Sequence, residues 1–260
     1  MLARVITTEF LKLRRSKITW ATLAGLSMGP LGVALFMWIV REPGRAAQMG
    51  LLGTKANLAG LEATWPAYLS MLTLIVGMGG LIVLAFIVIY LFGREYEIAT
   101  AKTMLALPVP RHWFVLAKFV VAAVWWAILV VLVLAESFVV ATLLHLPGYS
   151  AGIVMTGVGN ALLAAGISFL LAPVVAWVAV WTRNGAAAIG FALAMMALGN
   201  LFGKTGWAEY YPWSIVALLI GLVSDPANTL PPVSYVVLAL TFVVGIAGTI
   251  AQLRWADNAQ

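Results

Sequence analysis

Residues 114–144 read FVLAKFVVAAVWWAILVVLVLAESFVVATLL. This apolar run decides the fold class. A helix needs about 20 mainly apolar residues to cross a hydrocarbon core of about 30 Å. The run exceeds that, so its helix must tilt, kink or protrude. Five further stretches have the same character: 18–40, 68–92, 152–181, 186–203 and 233–253. The stretch 152–181 is also overlong, and Pro173 is its expected kink point. The stretch 186–203 is short, rich in Ala and Gly, and the weakest of the six. Of the 260 residues, 63% are hydrophobic and 9% charged. Soluble domains are about half apolar and about a quarter charged. The composition therefore excludes an ordinary soluble enzyme, a disordered chain and a nucleic-acid-binding domain. The expected fold is an all-α integral membrane protein of six transmembrane helices in one domain spanning 1–260.

The basic residues set the orientation. Arg4, Lys12, Arg14, Arg15 and Lys17 precede the first span. Arg94, Lys102, Arg111 and Lys118 belong to the connection between spans two and three, and Arg183 and Arg254 follow spans four and six. All of these share one side in a six-span arrangement. Arg41, Arg45, Lys55 and Lys204 are left for the other. An excess of Lys and Arg marks the cytoplasmic side, so both termini are expected in the cytoplasm. The acids Glu9, Glu95, Glu97 and Asp257 fall on the basic side, and Glu42, Glu62, Glu209 and Asp225 on the other. The net charge of +6 is therefore a cytoplasmic excess.

Residues 1–17 form an expected amphipathic interfacial helix. Leu2, Val5, Ile6, Glu9, Phe10 and Leu13 share one face at helical spacing. The basic residues lie mostly on the rest, toward anionic lipid. Glu9 interrupts the apolar stripe. It either pairs with Lys12 or Lys17 or contacts a neighbouring subunit. Between 204 and 232, the run 215–223 is too short to span. It lies between Trp207, Tyr210, Tyr211 and Trp213 on one side and Pro226, Pro231 and Pro232 on the other. Such aromatics favour the membrane interface. A re-entrant or surface-lying segment is expected, the alternative being a loop packed on the bundle.

Catalytic motifs are missing from the sequence. The chain has no cysteine. His112 and His145 sit at opposite ends of span three, so they cannot ligate one metal. Gly199-Asn-Leu-Phe-Gly203-Lys204-Thr205 has three residues between its glycines where a phosphate loop needs four, and it ends a helix instead of starting one. No nucleotide site is expected in this chain. Glu136 is the one acid deep in a span. Intramembrane acids mark pathways or interfaces, or else stay protonated and bonded within the bundle; Ser137 is its neighbour. Trp125 and Trp126 are candidates to line a pathway for an amphipathic molecule. Gly25-x-x-x-Gly29 and Gly245-x-x-Gly248 permit close helix contact.

The connection 93–113 is the most informative soluble stretch. Residues 95–107 suit a short helix ended by Pro108 and Pro110. Ile98, Ala101, Met104 and Leu105 form its apolar face. The series Phe92, Arg94-Glu95, Ala99-Thr100, Lys102, Leu105, Leu107-Pro108 and Arg111 resembles the cytoplasmic loop of ABC-2 type transporter permeases. Ala99 stands where that family has glycine. Glu9-Phe10-Leu11-Lys12-Leu13-Arg14-Arg15-Ser16-Lys17 and Tyr211-Pro212-Trp213-Ser214 are similar to the same family, closest in appearance to its bacitracin and lantibiotic-immunity permeases.

The resemblance implies a subunit of an ABC exporter in a bacterial plasma membrane. It would pair with a second permease copy or a paralogue and carry two separate ATPase subunits. ATP and Mg would sit on those partners, with no cofactor in this chain. Residues 93–113 would hold the coupling helix, with Glu95, Tyr96, Ile98, Ala99, Thr100, Lys102, Thr103, Met104 and Leu105 meeting the ATPase and Glu9 nearby. The cargo would be a peptide antibiotic, a drug or a lipid-like molecule. A secondary transporter or channel is the alternative, but Glu136 alone offers an ion-coupling group and no inverted repeat is evident. A non-transporting membrane scaffold is a third possibility.

Overall fold

The computed structural model describes residues 2–51, 61–97, 110–219 and 230–255; at 95–97 and 255 it describes the backbone only. Among the described residues every regular element is helical. Six helical stretches are long and apolar enough to cross a membrane: Lys17–Arg41, Trp65–Arg94, Arg111–Leu143, Ala151–Thr182, Gly185–Phe202 and Pro232–Arg254. Hydrocarbon offers no hydrogen bonds, so a crossing chain must satisfy its backbone internally, and the helix does so within one segment. Each of the six expected spans is found, with ends shifted by a few residues at most.

Helix α1 (Leu2–Arg14) precedes the first span α2 (Lys17–Arg41), and α3 (Pro43–Gln48) is a short helix after it. The second span is composite. Helix α4 (Trp65–Leu74) passes through a π segment (Ile75–Gly79) into α5 (Gly80–Glu97). Then follow α6 (Arg111–Leu143), α7 (Ala151–Thr182), α8 (Gly185–Phe202), α9 (Pro212–Leu219) and α10 (Pro232–Trp255).

Local chemistry sets the ends. Ser150 Oγ accepts from the Ile153 amide at 3.2 Å at the start of α7. Asn184 Oδ1 accepts from the Ala186 and Ala187 amides at 2.9 and 3.4 Å and starts α8. These side chains take up amides that the first helical turn cannot bond. Arg183 has a left-handed φ of 52°, so the chain reverses between α7 and α8 within two residues. At 18 residues, α8 is about 27 Å long at 1.5 Å per residue, enough to approach the core thickness.

Helix α7 is the centre of the bundle, packed against α10, α5, α4 and α8. The composite second span and α7 are the most buried of the six, whereas α2, α8 and α10 face mainly outward. Pro173 lies inside α7, which continues through it as one helix. There α10 crosses at close range: a Cβ on Gly245 would lie 2.6 Å from the Pro173 carbonyl carbon and the Val174 nitrogen. Gly248 lies against the Trp177 ring. The Gly245–Gly248 spacing is thus the α7–α10 contact. In the other glycine pair, Gly29 meets Ile75 while Gly25 faces open space.

The π segment is absent from the sequence expectations and has a packing reason. Gly80 touches the Trp126 ring, and the Ser168 hydroxyl of α7 shares its one proton between its own helix at Ala164, 2.8 Å away, and the Gly77 carbonyl at 3.2 Å. A wider turn frees backbone carbonyls, and a neighbouring hydroxyl can take one up within the membrane.

Two expectations need correction. The start of the expected loop helix is not separate, because α5 runs unbroken to Glu97. The segment before the last span does not lie free on a surface. Trp213, Ser214, Ile215, Val216 and Ala217 of α9 are buried, and α9 packs on α8, α7 and α10. Tyr211 Oη donates to the Met195 carbonyl at 3.2 Å and ties the approach to α9 onto α8.

Candidate functional site

The strongest polar cluster lies at the end of the bundle where α1, α5 and α6 meet. Helix α1 turns Glu9 and Leu13 inward, as its apolar stripe requires. Glu9 is 3% exposed and Lys118 of α6 is 3% exposed. Glu9 Oε2 and Lys118 Nζ are 3.1 Å apart, and Glu9 Oε1 and Lys12 Nζ are 2.5 Å apart. Lys118 also donates to the Leu91 carbonyl of α5 and lies 5.7 Å from the centre of the Phe92 ring. One buried ammonium therefore binds α1 to both α5 and α6. Burial pushes the Glu9 carboxyl up, but the Lys118 and Lys12 ammonium groups outweigh it and hold the carboxyl below its ordinary value of 4.5.

A second layer surrounds this pair. The Arg94 guanidinium lies 5.3 Å from the Tyr90 ring centre and donates to Tyr90 Oη at 2.7 Å. Arg111, the first residue of α6, donates to the carbonyls of Leu253 at 2.5 Å and Arg254 at 3.1 Å. That fixes the start of α6 against the end of α10. Ser16 Oγ donates to the Leu13 carbonyl at 2.6 Å, closing the turn between α1 and α2.

This arrangement joins three helices through one buried ion pair. Among the described residues no group of His, Asp and Glu could hold a metal ion. The cluster joins α1 to α5 at Leu91 and to α6 at Lys118, about two turns from the described end of α5 at Glu97 and the start of α6 at Arg111. Of the residues expected to meet an ATPase, Ile98, Ala99, Thr100, Lys102, Thr103, Met104 and Leu105 lie outside the described residues. Glu95 and Tyr96 are on the last turn of α5.

Glu9 takes one expected partner, Lys12, but its other partner is Lys118, not Lys17. Both pairings are within this chain, and its buried carboxylate is not offered on the surface. Lys118, whose charge is counted with the connection although it falls within the run 114–144, lies inside α6 and is buried. The signal was a lysine after only four apolar residues of an otherwise apolar run.

The expected pathway residues do not come together with this cluster. Trp126 is buried, and its indole donates to the Ala165 carbonyl of α7 at 3.0 Å. Trp125 donates to Thr22 Oγ1 of α2 at 3.1 Å. Each ties α6 to a neighbouring helix. Trp126→Phe removes the bond to Ala165 and also shrinks a buried ring, so we expect a loss of about 2–3 kcal/mol in unfolding measured in detergent. Glu136 is half-buried near the other end of α6. The Tyr68 hydroxyl lies toward Glu136 and Ser137 without reaching hydrogen-bond geometry to either. Ser137 Oγ donates to its own helix at Val133, 2.6 Å away.

Comparison with known proteins now bears on this geometry. Residues 5–199 match the family described as ABC-2 family transporter protein. The chain belongs to the ABC-2 transporter family. The ABC-2 match includes α1, the clamp around Glu9 and Lys118, and the segment between α5 and α6; α9 and α10 lie beyond it. The chain is also similar to the bacitracin transport permease protein BCRB of Bacillus licheniformis. The two are 25% identical over 168 residues, 65% of this chain and 80% of that protein. With six apolar helices, this ABC-2 chain is a multi-pass membrane protein and a transporter's membrane subunit.

Proposed function

We propose that the chain is the permease subunit of an ATP-driven exporter of an amphipathic molecule, coupled to cytoplasmic ATPases through the connection 93–113. The observation that carries this reading is the buried Glu9–Lys118–Leu91 clamp. It makes α1 and both stems of that segment one rigid unit, and a rigid unit transmits a push as a whole-body motion. The clamped end also carries most of the basic residues, which supports a cytoplasmic position for it and for both termini. The α9 segment, packed at the opposite end, then forms part of the outer closure as a re-entrant element. The similarity to a bacitracin permease favours a peptide antibiotic as cargo, with lantibiotics as a related class. Two ATPase subunits, holding ATP and Mg, would serve a pair of permeases, either two copies of this chain or this chain and a paralogue.

Affinity purification of the full chain from its native membrane tests the reading. An ATPase subunit should co-purify, and charged replacements at Met104 and Leu105 should release it while the bundle remains folded. Recovery of the chain without any ATPase would remove this reading and leave a channel or a scaffold.

A further inference from the structure

Side chains inside a membrane helix normally return their donors to the backbone one turn earlier, because lipid offers no alternative. In this bundle Ser70, Thr73, Ser137, Thr142, Ser168, Thr182, Asn200, Thr241 and Thr249 all do so. Among the other Ser, Thr and Asn side chains of the described spans, Thr19 and Ser234 donate to carbonyls of other segments, Leu13 and Glu209, whereas Ser27, Thr156 and Asn160 make no side-chain hydrogen bond. Ser27 stands alone on α2. Thr156 and Asn160 are one turn apart on α7, and both line one groove of about 330 Å³ between α4 and α7.

The groove has a defined shape and chemistry. Gly157 brings the two helices together, since a Cβ there would lie 2.7 Å from Leu69 Cδ1. The Trp65 amide donates to the Pro147 carbonyl at 3.0 Å and aligns the start of α4 with the approach to α7. From the helix starts, Thr73 and Asn160 lie about 12–14 Å along the axis at 1.5 Å per residue. The groove therefore runs from the membrane surface to just short of the midplane. Ser70 and Thr73 have used their protons on Pro66 and Leu69, at 3.0 and 2.9 Å, and retain acceptor capacity. Thr156 and Asn160 supply donors. Among the described residues no ionisable side chain lines the groove.

We infer that this groove binds an uncharged carbonyl group, an amide or ester, of an amphipathic molecule whose apolar part remains in lipid. The donors of Asn160 and Thr156 meet the carbonyl oxygen, and the hydroxyls of Ser70 and Thr73 accept from an amide N–H where one is present. The same chemistry is offered by the acyl ester of a membrane phospholipid and by the backbone of an acylated peptide cargo. The inference rests on the preceding reading only for the membrane placement of α4 and α7.

The test uses the full chain in lipid nanodiscs without any ATPase, so failure of ATPase coupling cannot mimic failure here. Two photoactivatable probes are applied separately: a diazirine phosphatidylglycerol and a diazirine N-lauroyl-dialanine amide. Saturable labelling of α4 and α7 is expected from at least one, and the one that saturates identifies the source. In the Thr156→Val, Asn160→Leu double variant, half-saturation should rise about tenfold, equivalent to about 1.4 kcal/mol. Asn200→Leu, whose carboxamide is bonded to its own helix on α8, should leave it unchanged. The double variant removes unpartnered polar groups from lipid, so it should fold, and a melting curve on the same sample checks this. Labelling that never saturates, or is equal in the double variant, overturns the inference. So does disulfide formation between two copies of Thr156→Cys in this cysteine-free chain, because a second copy would then fill the groove.

Discussion

Glu9→Gln should detach α1 from the bundle and lower stability by about 3 kcal/mol, because breaking a buried ion pair strands the remaining charge. The group left behind is Lys118, which is 3% exposed and would lose the 3.1 Å contact to the Glu9 carboxylate while keeping its bond to the Leu91 carbonyl. Lys118→Met added to Glu9→Gln should restore much of the loss, since an apolar side chain of similar length suits that site. Lys12→Ala should cost less than about 1 kcal/mol, because its side chain is 40% exposed and water already screens it. Thermal unfolding of the four proteins in detergent decides this, and equal losses for Glu9→Gln and Lys12→Ala would refute the clamp. The pair also sets a pH dependence. The Glu9 carboxyl titrates below its ordinary value of 4.5 in the folded protein. Its contribution is therefore complete above that value and declines as pH falls through the lower folded value. Glu9→Gln should flatten that acid limb of the stability curve.

Residue type and run length made the six spans legible, because hydrocarbon thickness imposes a minimum length that the sequence must meet. What depended on neighbours was not. Lys118 reads as one more loop cation until α1 folds back and sets Glu9 beside it. The π segment is unmarked in Ile75–Gly79, since its cause lies in Trp126 and Ser168, far along the chain. Thr156 and Asn160 look like ordinary polar residues near a helix start. Their lack of partners emerges only when every other hydroxyl and amide has been placed. The apolar stripe of α1, by contrast, announced its buried face directly, and Glu9 was the one residue that broke it.

Gly245→Ala should be as damaging as the loss of the ion pair, although it adds a single methyl group. That methyl would lie 2.6 Å from backbone atoms of Pro173 and Val174, which cannot rotate away as a side chain would. Helices in lipid gain little from hiding apolar surface, so close van der Waals contact is much of what holds them together. Forcing α10 off α7 removes that contact along the whole crossing, at an expected cost of about 2–3 kcal/mol. Gly248→Ala meets the Trp177 ring, a side chain that can shift, and should cost less. Gly166→Ala on α7 faces open space and should be neutral or slightly stabilising, because alanine favours a helix over glycine by about 1 kcal/mol. The order of melting temperatures, Gly245→Ala lowest and Gly166→Ala highest, tests the crossing against a general intolerance of glycine replacement. A loss at Gly166 equal to that at Gly245 would mean that helix flexibility, not the α7–α10 contact, is what these glycines provide.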